Sequence, residues 1–384
     1  MNGPRKMIYL DNNATTQVAP ECIDAMLGCL RDGWGNPSSK HKNGFESKQL
    51  VSDARAQVAN LIGAAQPEIV FTSGGTESSQ TAILGAMALN PDKRHIVTST
   101  VEHPSILLLL RQQEAQGIRV TYLPVDRQGK IDLSVLDSAI TPDTALVSLM
   151  WANNETGVLF PIEEAAQLAR SKGCLFHTDA VQAVGKKEID LTRIPVDLLS
   201  LSGHKLHASK GVGALFVRKG IKLPPLFPGH QERARRGGTE NVPGIVGMGA
   251  ASVLATTGTS NHEMRIKALR DRLEAGILAH IPFASVNGAG AERVANTSNI
   301  RFGNLESEAI LDKLDRMSVF ASPGAACTAG GTEPSHVLTA MGLDRNAALA
   351  SIRFSLSRYT TDEEIDLVLA ELPGIAGRMN AEAA

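Results

Sequence analysis

Lysine, aspartate and histidine side chains follow strand-like runs at several points of this sequence, where a sheet would gather them. Lys205 comes in the turn Ser202-Gly-His-Lys205 after one such run, Asp179 ends another, and His103 follows a third. In an open α/β sheet, ligands bind beyond the carboxyl ends of the strands. Pyridoxal phosphate needs a lysine for a Schiff base and a carboxylate that keeps its pyridine nitrogen protonated. Lys205 and Asp179 therefore predict a site for this cofactor.

A phosphate cradle is predicted at Ser73-Gly-Gly-Thr76, which follows a strand-like run and precedes a helix. Glycine allows close approach of the backbone, and the helix dipole favours an anion at the helix N-terminus. Asn154 follows one further strand end, and Gln182 follows the strand that Asp179 ends. These five strand ends together match what one molecule of the cofactor needs.

Each of these features has an ordinary alternative when it is taken alone. A lysine after a strand is usually just exposed, His103 could be a loop histidine, and Asp179 could cap the helix that follows. Ser-Gly-Gly-Thr is by itself a common turn. Their order on alternating strand ends is more specific than any single member, and it favours the cofactor site.

The chain has four cysteines, and no pair has the Cys-x-x-Cys spacing of a zinc or redox site. Cys22 and Cys29 share one face of a predicted helix, which favours core packing for both. Cys174 opens an apolar run and is expected to be buried. Cys327 lies among small residues in a Gly-rich stretch, where a thiol can be reached.

Strand-like and helix-like patterns alternate from Glu68 to Val217, which favours a mainly parallel sheet covered on both faces. The predicted strands are Ile69–Thr72, His95–Thr100, Arg119–Val125, Ala145–Trp151, Cys174–Thr178, Asp197–Ser202 and Gly213–Val217. The main predicted helices between them are Glu77–Leu89, Ser105–Gln116 and Ile162–Ser171.

A linker-like run, Thr256–Ser260, precedes a long charged helix from Asn261 to His280. Short strands, a helix at Glu306–Met317 and a Gly-rich stretch then predict a smaller α+β domain. We therefore expect an α/β fold with two domains. Residues 16–255 would form the large domain, and residues 1–15 and 256–384 the small one.

The composition is that of an ordinary globular protein of 384 residues, 43% hydrophobic and 20% charged. A net charge of −2 gives no basic face in bulk, so nucleic acid is not expected as a partner. The longest apolar run is too short to span a bilayer, and no membrane association is expected. The N-terminus lacks a signal-peptide core, which favours a cytoplasmic location.

The motifs as a whole resemble those of the cysteine desulfurases, in the aminotransferase class-V superfamily, and most closely the Nif-type branch. Matching segments span Tyr9 to Leu356 in the expected order. They are Tyr9–Thr16, Gly35–Ser39, Phe71–Glu77, Glu102–Pro104, Met150–Gly157, His177–Gln182, Ser202–Lys205, Arg236–Asn241, Ala326–Thr328, Glu333–Ser335 and Ile352–Leu356. The resemblance implies the type I fold of pyridoxal-phosphate-dependent transferases, with a mainly parallel seven-stranded sheet in the large domain.

The resemblance also implies a role for each matching residue. Lys205 is expected to bond the cofactor and to move the substrate Cα proton, and Asp179 to pair with the pyridine nitrogen. His103 is expected to be catalytic as well, stacking on the ring and transferring protons. Asn154 and Gln182 are expected to bind the ring oxygen. The phosphate would be held by Gly75, Thr76, Ser202 and His204, and by Thr239 of the other subunit, which implies a homodimer.

By the same resemblance, the substrate is L-cysteine and the products are L-alanine and a persulfide on Cys327. Arg353 is expected to pair with the substrate carboxylate, a task that suits a guanidinium. Asn36 and Asn154 are further substrate-binding candidates. Sulfur would pass to an iron–sulfur scaffold or another acceptor protein, with a role in nitrogenase maturation or in general cluster assembly. No metal site of its own is expected, except that Cys327 would transiently ligate a cluster shared with a scaffold.

Two segments depart from the usual family pattern. Pro323 removes a donor and stiffens the base of the Cys327 loop, and Ala325 removes a hydroxyl. The segment His207–Gly211 replaces the more usual Gly-Pro-Lys-Gly after the lysine. Neither departure removes a catalytic group.

Three rival interpretations remain on the sequence alone. A nicotinamide dehydrogenase would need a Gly-x-Gly-x-x-Gly motif after a first strand, but Gly247-Met-Gly249 lies in a helical stretch and lacks the third glycine. A selenocysteine lyase or another class-V enzyme is a closer alternative, against which Cys327 and its flanking motif argue. A scaffold-binding homologue without turnover would not need to keep its catalytic residues, which here are all present: Lys205, Asp179, His103 and Cys327.

Overall fold

The computed structural model describes residues 7–257, 259–323 and 333–383. The strands are β1 Ile8–Tyr9, β2 Ile69–Thr72, β3 His95–Ser99, β4 Arg119–Leu123, β5 Thr144–Met150, β6 Leu175–Asp179, β7 Leu198–Ser202, β8 Gly213–Val217, β9 Ala284–Val286, β10 Thr297–Phe302, β11 Val319–Phe320, β12 Ser322–Pro323 and β13 Ser351–Ser355. The helices are α1 Pro20–Asp32, α2 Lys42–Leu61, α3 Gly75–Leu89, α4 Pro104–Glu114, α5 Leu133–Ala139, α6 Ile162–Ser171, α7 Gln231–Ala234, α8 Val242–Thr256, α9 Thr259–His280, α10 Ser307–Asp315, α11 His336–Ala340, α12 Arg345–Leu349 and α13 Asp362–Ala383.

A seven-stranded sheet in the order β2-β8-β7-β6-β5-β3-β4 carries the site. Its strands are buried on both faces, since Val70 and Leu146 contribute to one core cluster and Phe71 and Val147 to another. Strands β7, β6, β5, β3 and β4 are parallel, while β8 is antiparallel to both of its neighbours. The predicted mainly parallel seven-stranded sheet is confirmed, with strand boundaries that differ by at most two residues.

A second sheet is antiparallel, with four strands in the order β12-β13-β10-β9, and it contributes to a separate hydrophobic core. This core contains Leu10 from the N-terminal segment, Leu273 from α9 and Ile365 from α13. The short strand β1 pairs with β11. The predicted linker Thr256–Ser260 is shorter than expected, because α8 continues to Thr256 and α9 already begins at Thr259. The small polar residues of this run show no helical pattern, although helices α8 and α9 both extend into it.

Among the described residues, no single helix is both long and apolar enough to cross a membrane. The neighbouring helices α8 and α9 meet that test of length and composition only when they are counted together as a bent pair.

A buried ion pair joins α2 to the segment after β8. Arg55 donates to Glu232 through Nη1 and Nη2 at 2.6 and 2.7 Å, and the backbone N–H of Phe71 donates to the same carboxylate at 2.9 Å. Glu232, Arg233 and Ala234 all have left-handed φ angles of 49°, 59° and 62°. Such angles cost free energy in residues other than glycine. The ion pair therefore holds a strained turn in place.

Replacement of Arg55 by methionine is expected to lower the free energy of unfolding by about 3–5 kcal/mol, because Glu232 would remain buried without its partner. Arg119→Met is the matched control, since Arg119 pairs with Asp143 and the two side chains are 60% and 44% exposed. The control should cost no more than about 1 kcal/mol. Urea denaturation of the two variants measures the difference, and equal losses would contradict the role given to Arg55.

Candidate active site

Lys205 lies in a short 3₁₀ turn, Gly203–Lys205, directly after β7. A side chain at Gly203 would place its Cβ 2.9 Å from Val212, so the turn can close this tightly only with glycine. The Nζ atom of Lys205 donates to the backbone oxygens of Asn13 and Ala14 at 2.5 and 2.7 Å. The N-terminal segment that contains Asn13 and Ala14 thus holds the Lys205 amine at the carboxyl end of the sheet.

Asp179 is the last residue of β6 and is buried. Its Oδ1 accepts a hydrogen bond from the N–H of Val181 at 3.0 Å. Burial raises the pKa of this carboxyl group, whereas the nearby His103 and Lys205 act to lower it. A buried carboxylate of this kind can keep the nitrogen of a pyridine ring protonated.

His103 caps the N-terminus of α4, where its Nδ1 contacts the Ser105 hydroxyl at 2.8 Å and accepts from the Ser105 N–H at 3.2 Å. Burial lowers the pKa of His103, while Asp179 acts in the opposite direction. The imidazole is therefore neutral at neutral pH, and its ring is held in one orientation at the edge of the site.

Helix α3 begins at Gly75 after the N-cap Gly74, which provides no side-chain hydrogen bond to the helix. Glu77 instead accepts from the N–H of Ser73 at 2.8 Å and pairs with Arg236 at 2.9 Å. A Cβ on Gly75 would lie 2.8 Å from Val181, so only glycine leaves the cradle open here. The first N–H groups of a helix of this length suit a phosphate group.

Arg353 on β13 is almost completely buried, with 1% of the residue exposed. Its guanidinium donates to the Asn154 backbone oxygen at 3.0 Å and to the Asp11 carboxylate at 2.6 Å. The buried Nε atom has no hydrogen-bond partner among the described residues. A donor left without a partner in a buried position is costly unless a ligand accepts from it.

One cavity of about 270 Å³ brings these groups together. The predicted residues that line it are Gly75, Thr76, His103, Asn154, Asp179, Gln182, Ser202, His204, Lys205 and Arg353. Burial lowers the pKa of His204 to about 4, so this histidine is also neutral at neutral pH. A lysine, a buried carboxylate and an uncapped helix N-terminus around one cavity fit pyridoxal phosphate.

Three predicted residues are not among those that line this cavity. Asn36 and Thr239 are both exposed, and the Asn36 side chain accepts a hydrogen bond from the N–H of Ser38. Cys327 lies outside the described residues. Within the described ranges, no group of three or more His, Cys, Asp or Glu side chains could hold a metal ion.

Sequence reasoning assigned no role to Asn13, Ala14 or Ser105, which also line the cavity. Asn13 and Ala14 belong to the segment Tyr9–Thr16, which matched the family but was given no role at the site. The run of small polar residues before the first predicted helix could have indicated that this segment lines the site. Ser105 could have been found as the residue two positions after a candidate histidine.

The fold and the cavity define a pyridoxal-phosphate enzyme of the type I transferase class. Residues 8–368 match the family model described as aminotransferase class-V. The chain is 54% identical over 376 residues to a protein named cysteine desulfurase 2 from Trichormus variabilis, covering 98% of this chain and 94% of the relative. It is 50% identical to a protein named cysteine desulfurase NifS from Azotobacter vinelandii, covering 97% and 93%.

The solved structures include a protein titled NIFS-LIKE PROTEIN, with a TM-score of 0.91 and 35% identity, which covers 97% of this chain and 100% of that one. This chain therefore belongs to the aminotransferase class-V family and, within it, to the cysteine desulfurases. The predicted family, fold class and cofactor are confirmed by these comparisons.

A pH-dependent loss of stability is expected from the histidine beneath the site. His177 on β6 is fully buried between the hydroxyls of Ser148 and Ser200, at 2.8 and 2.9 Å, and burial lowers its pKa to about 3. An unfolded histidine takes up a proton near pH 6.5, whereas the folded one does not until about pH 3. Stability is therefore present above the unfolded pKa and is lost as the pH falls below it.

Between about pH 6.5 and about pH 5, this one group should cost about 2 kcal/mol of the free energy of unfolding. Urea denaturation at both pH values, compared with His177→Gln, isolates its contribution from those of other groups. Parallel pH profiles for the parent and the variant would contradict the assignment.

Proposed function

We propose that this chain is a cysteine desulfurase that transfers the sulfur of L-cysteine to Cys327 as a persulfide and releases L-alanine. The observation that carries this proposal is the convergence of Lys205, Asp179 and Arg353 on one cavity. Lys205 suits the Schiff base with the cofactor, and Asp179 suits its pyridine nitrogen. The arginine supplies a buried cation for the carboxylate of an amino-acid substrate.

Arg353 is suited to bind the substrate carboxylate because a guanidinium offers paired donors in a fixed plane. Its Nε has no partner among the described residues, while one Nη already contacts Asp11 at 2.6 Å. Asp11 holds the guanidinium in position and balances part of its charge. A substrate carboxylate would accept a hydrogen bond from Nε, the donor of Arg353 that has no partner among the described residues.

The bound cofactor supplies an electron sink for the pair released when the substrate loses its Cα proton. Asp179 would hold a proton on the pyridine nitrogen, and Gln182 and Asn154 would bind the ring oxygen. Lys205 would take up the Cα proton and return it, and the neutral His103 would lie against the ring. Gly75, Thr76, Ser202 and His204 would hold the phosphate.

Cys327 attacks the substrate sulfur as a thiolate, the bond between carbon and sulfur breaks, and Cβ takes up a proton. Two observations support this residue over the other cysteines. Cys22, Cys29 and Cys174 are buried, and burial raises the pKa of each thiol, to about 11 for Cys22 and Cys174. Ser322, five residues before Cys327, lies opposite Arg353 where strand β12 pairs with β13. The chain therefore passes next to Arg353 shortly before it reaches Cys327.

Thr239 is exposed in this chain, which agrees with a task at the cofactor phosphate of a second subunit in a homodimer. Asn36 is assigned a secondary role at the substrate. The large domain would comprise residues 16–255, and the small domain residues 1–15 and 256–384. Sulfur would leave Cys327 for a cytoplasmic iron–sulfur scaffold or another acceptor protein, with the similarity to the NifS relative favouring nitrogenase maturation.

Replacement of Cys327 by alanine tests the sulfur transfer itself. The variant should bind the cofactor and L-cysteine, because Lys205 and Arg353 are unchanged, but alanine release should fall to background. No persulfide should be found on the protein by mass spectrometry. Cys174→Ala is the matched control, with full alanine release and a cost in stability alone. Alanine release by Cys327→Ala at the parent rate would refute the persulfide step.

Replacement of Asp179 by asparagine tests the cofactor chemistry separately. The cofactor should remain bound, because its phosphate contacts and Lys205 are unchanged. Turnover should fall about 100-fold or more, since the ring nitrogen loses the charge that keeps it protonated. Absorbance of the bound cofactor and alanine release measure the two properties. Near-normal turnover would remove Asp179 from the mechanism.

A further inference from the structure

Lys186 is a lysine at the active site to which the proposed reaction gives no task. Its Nζ atom donates to the Gln182 side-chain oxygen at 2.6 Å and to the Asn13 side-chain oxygen at 3.1 Å. Lys186 lines a small cavity of about 80 Å³, and Lys205 lines both this cavity and the larger one. Lys186 therefore contacts the larger cavity through Gln182 and Asn13, which both line it.

The hydrogen bonds of Gln182 determine which way its amide points. Lys186 donates to Oε1, and Nε2 donates to the backbone oxygen of Asn13 at 3.0 Å. An amide nitrogen carries two protons, so Nε2 has a second donor to offer. Gln182 also lines the larger cavity. With the oxygen held by Lys186, the amide presents a donor to that cavity.

The surroundings of Lys186 are unfavourable for a simple structural lysine. Burial lowers its pKa well below the usual value, and the nearby Lys205 and Arg353 lower it further. His207 is close enough to interact with its charge, and the small cavity adds His262, Glu263 and Arg358. Both hydrogen bonds that hold the amine go to amide oxygens. An apolar side chain of the same length would avoid this desolvation cost.

We propose that Lys186 is a positioning residue that acts through Gln182, holding its amide so that Nε2 donates to the ring oxygen of the cofactor. This inference rests on the proposed function, which assigns Gln182 to that oxygen. Lys186 itself is not among the residues that line the larger cavity. Its effect is therefore expected in the electronic properties of the bound cofactor as well as in the rate.

Replacement of Lys186 by methionine keeps the length of the side chain and removes the donor. The measurement is a pH titration of the visible absorption band of the enzyme with pyridoxal phosphate bound. A donor at the ring oxygen stabilises its negative charge after the neighbouring Schiff-base proton is lost. Without a well-held donor, the Schiff base loses its proton at a higher pH. The midpoint of the titration should therefore rise by about one pH unit, as expected for one hydrogen bond to a charged group.

Lys187→Met is the matched control, because Lys187 is the adjacent lysine and pairs with Glu263 and Glu292 near the surface. Its midpoint should equal that of the parent. Lys186→Arg keeps a donor and should restore most of the parent midpoint. An arginine variant that shifts as far as the methionine variant would show that the donor is not the cause.

The double variant Lys186→Met with Gln182→Met decides whether Lys186 acts through Gln182. Gln182→Met alone should raise the midpoint, and adding Lys186→Met should leave it unchanged. Additive shifts, or an unshifted midpoint in Lys186→Met, would overturn the inference while the proposed function stands. A parent protein that shows no visible band with pyridoxal phosphate would overturn both.

Discussion

The hydrogen bonds of Asn13 join the two sheets at the active site. Its side-chain nitrogen donates to the Asn154 backbone oxygen and the Thr297 hydroxyl, and its side-chain oxygen accepts from Lys186 and Asn296. Its backbone oxygen accepts from Lys205 and Gln182. Each bond left unmade at such a buried group costs about 1–3 kcal/mol. The positions of the catalytic lysine and the small sheet are therefore set together.

The charges around the cavity are arranged for anionic ligands. Lys205 and Arg353 supply cations, while His103 and His204 stay neutral because burial lowers the pKa of each. Asp179 lies at the end of β6, and the phosphate cradle lies at the start of α3. A cofactor phosphate and a substrate carboxylate would add negative charge next to these cations. Neutral histidines let both anions enter without a permanent excess of positive charge.

Much of the fold could be predicted because strands buried on both faces form short apolar runs, as at Ile69–Thr72 and Gly213–Val217. The antiparallel direction of β8 could not, since an apolar run has the same pattern in either direction. The start of α3 at Gly75 was predicted two residues late, because glycine weakens the helical pattern at the very position that the cradle requires. Ten of the predicted site residues nonetheless line one cavity.

The sequence by itself determined which chemical groups stand at the strand ends, because periodicity and turn residues are local properties that the order of residues carries directly. Lys205, Asp179 and the Ser73–Thr76 cradle belong to this part. Only the tertiary structure decided what holds them. Asn13 meets Thr297 across 284 positions of the chain, and it meets Lys186 across 173. Contacts of that kind depend on how two sheets pack, and no local pattern encodes them.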